Sequence, residues 1–356
     1  MPHFGTASLW QRRSEQRRSQ RRGIAVRLLL GTTILLSVAC STTGKAAPSA
    51  AKAPGRLPVL RAAATVFDGD IGDPFVLDTH TSAGYLAFGT GTPPFRIPTA
   101  TSTDLVHWHQ GPDAFPMLPD WSAPDPDYAR TWAPAVRALG GRYLMYLTAP
   151  DAASDQPCLA VASATRPGGP YRDALGHPLL CQPDLGGSID PALASSPDGG
   201  LYLLWKSNGT CCTAPTPHRP ATLWSQRLSS DGLALTGTAH PLLSTDEAWQ
   251  RGVVEEPAAV PASRGGWWLF YSGDSYDRAG YSIGLAWCPT LAGPCTETAD
   301  RPLRKTVGDQ RSPGGLEVFR RSDGSLAAVF DTWNRPTRNG RYYCCRSIEI
   351  ASLGDL

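Results

Sequence analysis

The chain has 356 residues, of which 36 are glycine and 33 proline, and only 18% are charged. That composition excludes a helical bundle or coiled coil, which needs long charged amphipathic stretches, and favours short strands between many turns. The formal net charge of +2 conceals a basic segment, RRSEQRRSQRRGIAVR, confined to the first 27 residues, so it gives no ground for a nucleic-acid surface on the remainder.

An apolar run from Leu28 to Ala39 follows that segment directly. A basic stretch leading into a short apolar run reads as an export leader, too short to cross a bilayer as a helix. The run ends in LLSVAC, a cysteine after small residues. This predicts a lipoprotein signal over residues 1–40, with Cys40 acylated after cleavage; ordinary cleavage within KAAPSAAKA is the alternative. Taking Cys40 from the nine cysteines leaves eight, an even number suited to disulfides in an oxidising compartment. Residues 41–64, rich in Ala, Ser, Thr, Pro and Lys, read as a flexible tether, and residues 65–356 as the folded domain.

Within that domain one pattern recurs. IGDPFVL, RTWAPAV, SIDPALA and VEEPAAV each set a proline at the head of an apolar run, at Pro74, Pro134, Pro191 and Pro257; GLEVF is a weaker fifth copy with Leu316 in the proline's place. Successive copies stand 57 to 66 residues apart. Each passes through glycine turns into an aromatic-rich strand, such as GRYLMYLTA or GWWLFYSGD, and then into further outer strands. Five meanders of this length predict an all-β fold, a five-bladed β-propeller, because one blade cannot bury both of its faces alone. A β-sandwich with an added domain is the competing architecture, and the regular spacing disfavours it.

In a propeller the first strand of every blade lines the axis, and proline suits its start, where no ladder donor is needed. Equivalent prolines then carry Asp73, Asp190 and Glu255 or Glu256 to one end of the axis. Carboxyls gathered in a partly enclosed site raise one another's pKa, which is how one of them stays protonated as a general acid.

GDPFVL, STDLVHW, WAPAV, IDPAL and VEEP, in this order and at one-blade intervals, resemble glycoside hydrolase family 43, over about residues 66 to 353. That family contains α-L-arabinofuranosidases, arabinanases and β-xylosidases. The resemblance implies an inverting glycosidase acting on polysaccharide or oligosaccharide, with arabinofuranosyl or xylosyl units as substrate. By it Asp73 is the general base that activates water, and Asp190 tunes the acid and holds the sugar. The family's acid stands two before the proline, which selects Glu255 over Glu256. Trp132 would wall the sugar pocket, and NGRYYCCRSIEI would send an arginine into it, with Arg341 at the matching position and Arg338 and Arg346 as rivals. The family's last blade often reads Gly-His-Asn, its histidine helping to hold a water-bound calcium in the channel. Here Gly315 stands in that place, and Asp331 replaces a second frequent histidine. No cofactor is therefore expected to be required.

Two carboxyls flanking a glycosidic bond with room for a water give single-displacement hydrolysis. Neither a G-x-S-x-G context nor a metal-ligand cluster or phosphate loop is present. Cys288 with Cys295, and Cys158 with Cys181, bracket local hairpins and are expected as disulfides. Cys211–Cys212 and Cys344–Cys345 are then expected to bridge one another. The chain is expected to be a monomer, meeting a membrane only through Cys40. A surface propeller that binds glycan or protein without cleaving it is the alternative to an enzyme.

Overall fold

The computed structural model describes residues 56–209, 220–335 and 337–354. The expected leader, Cys40 and the pair Cys211–Cys212 lie outside the described residues. Five four-stranded antiparallel sheets follow one another along the chain. The inner and second strands are Phe75–Asp78 and Tyr85–Phe88 in blade one, Trp132–Leu139 and Arg142–Pro150 in blade two, and Ser188–Ser195 and Leu201–Ser207 in blade three. Those of blade four are Val254–Pro261 and Trp267–Gly273. Blade five runs from inner strand Arg311–Arg320 through Leu326–Trp333 to a third strand, Arg346–Gly354. Its outermost strand, Val59–Phe67, comes from the start of the domain and pairs antiparallel with the third. Strand structure thus begins at Val59, inside the stretch expected as tether.

The expected five-bladed propeller is the fold. Its apolar residues explain why the blades stack. Among the described residues there are five buried clusters, and each straddles two neighbouring blades. Blade one packs on blade two through Phe88, Ile97, Val136 and Met145, and on blade five through Val76, Phe319 and Ile348. Both faces of every sheet are therefore covered, the condition a single blade cannot meet.

The recurrent proline has a backbone reason. In blades two to five the inner strand carries one extra residue against its neighbour, between Trp132 and Ala135, Ile189 and Ala192, Glu255 and Ala258, and Gly314 and Glu317. In each such bulge the residue before the proline, or before Leu316, has a left-handed φ: Ala133 46°, Asp190 56°, Glu256 52° and Gly315 60°. Asp73, before Pro74, has φ 50°. The extra residue leaves the ladder locally, so a proline without an N–H is tolerated beside it. Held strain of this kind costs about 1–3 kcal/mol at a non-glycine residue and clusters at functional sites.

Two of the expected disulfides are present, Cys158–Cys181 and Cys288–Cys295. The third expectation is corrected: Cys344 is bonded to its neighbour Cys345, so these cysteines do not tie the last blade to Cys211 and Cys212.

Candidate active site

The four bulges and the left-handed turn at Asp73 surround one cavity at the end of the axis, lined by Asp73, Ala133, Asp190, Glu256 and Gly315. Each bulge must find an acceptor for the N–H of its left-handed residue, since that group has left the ladder. Neighbouring blades supply it in rotation. The Asp73 N–H donates to Asp331 Oδ2 at 3.2 Å, Ala133 to Thr90 Oγ1 at 3.0 Å, Asp190 to Thr148 Oγ1 at 3.2 Å and Gly315 to Ser272 Oγ at 3.1 Å. Those acceptors stand at or just beyond the ends of second strands, which antiparallel pairing returns to the pocket end. In blade three the equivalent residue is Lys206, which cannot accept. There Asp190 Oδ2 takes the Glu256 N–H instead, at 3.3 Å.

Asp73 is the most strongly held carboxylate. Arg346 Nη1 lies 2.6 Å from its Oδ1, and the Thr90 hydroxyl donates to its Oδ2. Burial pushes its pKa up, but the guanidinium, the neighbouring Glu256 carboxyl and the Thr90 hydroxyl outweigh this and hold it below the usual carboxylate range. The same Arg346 reaches Asp331 Oδ2 at 3.0 Å.

The surrounding acids are shifted the other way. Burial, then the nearby Glu255 charge, raise Asp190 to about 8. Burial and the charge of Asp73 raise Glu256 well above its ordinary value. Asp331 goes up to about 7, through burial opposed by Arg346. Glu255 is tied differently: Lys206 Nζ lies 2.8 Å from its Oε2, and the Tyr281 hydroxyl donates to its Oε1 at 2.8 Å. Lys206 is itself buried, so this ion pair is shielded from solvent.

Of the carboxylates read from the sequence, Asp73 and Asp190 line the cavity together with Glu256, while Glu255 is not in its lining and is joined to Glu256 through Tyr281. Glu256, not Glu255, occupies the left-handed position equivalent to Asp73 and Asp190; Glu255 matches Trp132 and Ile189, one residue earlier. Trp132 is half-buried next to Ala133, its indole N–H held by the Ala129 carbonyl at 2.7 Å. The arginine is corrected. Arg341 is more than half exposed and pairs with Asp277, whereas Arg346 is buried against Asp73. Arg346 opens the third strand of blade five at the pocket end, while Arg341 lies on the loop before it.

Over residues 63–353 the chain matches the model of glycosyl hydrolases family 43. The chain belongs to that family. Its fold is similar to a thermostable family-43 glycoside hydrolase, at 24% identity and TM-score 0.68 over 80% of this chain and 90% of that one. It is also similar to an endo-1,4-beta-xylanase from Bacteroides thetaiotaomicron, with 22% identity, TM-score 0.65 and 82% and 92% of the two chains covered. An arabinanase from Bacillus subtilis gives 18%, 0.60, 83% and 97%. Comparison with curated protein sequences finds no match.

The calcium that membership in family 43 implies has poor support in the residues present. A side chain built on Gly315 would meet the Asp73 Cα at 3.0 Å and the Glu256 carboxylate at 3.4 Å, so that place is filled by neighbours. Among the described residues, the one group of three His, Cys, Asp or Glu side chains close enough to share an ion is Asp151, Cys158 and Cys181, whose cysteines are disulfide-bonded.

Several residues that hold these carboxyls carry no sequence motif: Thr90, Lys206, Ser272 and Tyr281; Asp331 is marked only as a replaced histidine. Tyr276 belongs with them. Its ring is 51% exposed and stacks on Trp333 at 6.3 Å, Trp333 stacks on Tyr342 at 5.2 Å, and Arg346 lies 5.9 Å from both the Tyr276 and Trp333 rings. The signal that could have found them is positional: the residues closing each second strand, not only those opening the first.

Proposed function

We propose that this family 43 chain is an inverting glycosidase that hydrolyses arabinofuranosyl or xylosyl linkages in polysaccharide outside the cytoplasm. The observation that carries this reading is the split among carboxyls in one pocket: Asp73 is held ionised by Arg346 while Asp190 and Glu256 are held toward the protonated form. Carboxyls whose environments push their pKa values apart divide the roles of acid and base.

In this reading Asp73 Oδ accepts a proton from the water that attacks the anomeric carbon. Glu255, from a non-adjacent blade, protonates the departing glycosidic oxygen. Asp190, next to Glu255, disfavours loss of that proton through its own negative charge when ionised. Arg346 and Thr90 fix the base's orientation, and the exposed Tyr276 face and Trp132 offer rings on which a sugar can stack. Names of similar proteins, an endo-1,4-beta-xylanase and an arabinanase, support the pentose-polymer substrate class. The leader and Cys40 support an enzyme tethered at the outer face of the membrane.

A panel of 4-nitrophenyl pentosides with linear arabinan and xylan tests the reading. Asp73→Asn and Glu255→Gln should each lower turnover on polymer by about 10²–10⁴-fold. Glu255→Gln should keep more activity on the nitrophenyl substrate, whose leaving group needs little protonation. Proton NMR of the first-formed sugar should show the anomer opposite to the substrate's. A retained anomer would remove Asp73 from the base role, and absence of hydrolysis across the panel would leave a binding propeller.

A further inference from the structure

Tyr281, fully enclosed just before the third strand of blade four, places its hydroxyl between two carboxyls. The oxygen is 2.8 Å from Glu255 Oε1 and 2.7 Å from Glu256 Oε2. A phenol has one proton, so it can donate in only one of these contacts. The other contact requires a proton from a carboxyl, and the glutamate pair must hold at least one. Glu255 has the Lys206 ammonium 2.8 Å away, which favours its charged form. Glu256 instead receives the Ser272 hydroxyl at 3.0 Å and faces the negative Asp73, so the stored proton belongs on Glu256.

This rests on the roles given above to Asp73 and Glu255. An inverting hydrolysis leaves the base protonated and the acid stripped, so the base must lose a proton and the acid regain one before the next turnover. We propose that Glu256 and Tyr281 form an internal proton relay that returns to Glu255 the proton that Asp73 takes from water.

The steps balance. At rest Glu255 is a carboxylate and Glu256 holds the proton; as the leaving oxygen departs, the Tyr281 phenolic proton moves to Glu255 Oε1 and on to that oxygen, and the Glu256 carboxyl proton moves to the Tyr281 oxygen. Tyrosine is neutral before and after, and Glu256 becomes a carboxylate. The proton that Asp73 removed from water then passes to Glu256. One proton enters from water, one leaves on the released hydroxyl, and no oxidant or cofactor is involved. The charged groups facing the relay are Asp73 from blade one, Asp190 and Lys206 from blade three, Glu255 from blade four, and Asp331 and Arg346 from blade five. Burial raises Tyr281 well above the usual phenol range, so it passes protons as a neutral hydroxyl and does not ionise. Glu256 and Tyr281 touch catalytic groups rather than substrate and are positioning residues.

Tyr281→Phe and the near-isosteric Glu256→Gln test this on the full chain, with an unactivated pentose oligosaccharide and a 4-nitrophenyl pentoside as paired substrates. Each variant should lose about 10-fold in kcat on the oligosaccharide, part of the 10²–10⁴-fold attributable to acid catalysis, and a clearly smaller factor on the nitrophenyl substrate. The alkaline limb of the oligosaccharide pH profile should move to lower pH in both variants, and small carboxylic-acid buffers should restore part of the lost rate. Equal losses on the two substrates with an unmoved pH profile would overturn the relay and leave Tyr281 a packing residue; Glu256→Gln decides the matter if Tyr281→Phe does not fold. Failure of the glycosidase reading is distinct: the unaltered chain would then hydrolyse neither substrate, and the relay falls with it.

Discussion

Replacing Arg346 with methionine should destabilise the protein and do so in a pH-dependent way. Its side chain is 12% exposed, and it is shared by Asp73, 16% exposed, and Asp331, 4% exposed. Charges about 4 Å apart at an effective dielectric near 20 attract by about 4 kcal/mol, and removing one partner of a buried pair costs about 3–5 kcal/mol. Asp331 already titrates near 7, so at neutral pH it can relieve part of the repulsion by binding a proton. The lower end, about 3 kcal/mol, is therefore expected near pH 7. The sign follows from linkage. In the intact chain Asp73 is held below its ordinary value, so it adds stability above the unfolded pKa of about 3.9, lost as pH falls through the folded value. Without Arg346, burial raises Asp331 further and is opposed at Asp73 only by Glu256 and the Thr90 hydroxyl, so the variant loses stability as pH rises. Urea unfolding of both chains from pH 5 to 8 should show a deficit that widens with pH. Adding Asp331→Asn to Arg346→Met should narrow it at the alkaline end. A deficit below about 1 kcal/mol, flat across that range, would show that water rather than Arg346 compensates these carboxylates.

Tyr276→Ala should raise KM for oligosaccharides by about 2–10-fold with kcat little changed, the size of a lost ring contact; an unchanged KM with a lowered kcat would assign Tyr276 to support of Arg346 instead. If Cys40 carries a lipid, the exported protein should partition into detergent, and Cys40→Ser should move it to the medium; a soluble form from the unaltered gene beginning beyond Ala47 would remove the anchor.

Much of the architecture was legible because each blade repeats a backbone solution. The proline marks the bulge, the bulge sets the left-handed residue, and that residue faces the axis, so Asp73 and Asp190 could be placed from spacing alone. The glutamates were harder. Glu255 and Glu256 flank the same bulge, and which of them lies on the axial position depends on a register that the letters do not display. Arg346 was a rival to Arg341 because both lie in a loop-rich run, and only the start of the third strand separates them. Asp331 was marked only as a replacement for a frequent histidine, and Lys206, Ser272 and Tyr281 were not legible as site residues. They arrive from second and third strands, where a buried polar residue has no distinguishing neighbours and is recognised only by what antiparallel pairing returns to the pocket. The vicinal cysteines failed for a related reason: even spacing says nothing about whether a pair looks outward or to itself.

The strand that closes the ring carries a directional consequence. Val59 pairs with Gly354 and Phe67 with Ile348, while Arg346, which opens that same third strand, is at the pocket. The chain therefore enters blade five at the end remote from the pocket and runs toward it. Val59 thus joins the domain at the end opposite Arg346 and the pocket. A segment joined there leaves the pocket end of the propeller unobstructed, so fusing a soluble domain ahead of Val59 should leave the rate on insoluble polymer unchanged, and a large loss would show that the junction lies nearer the pocket.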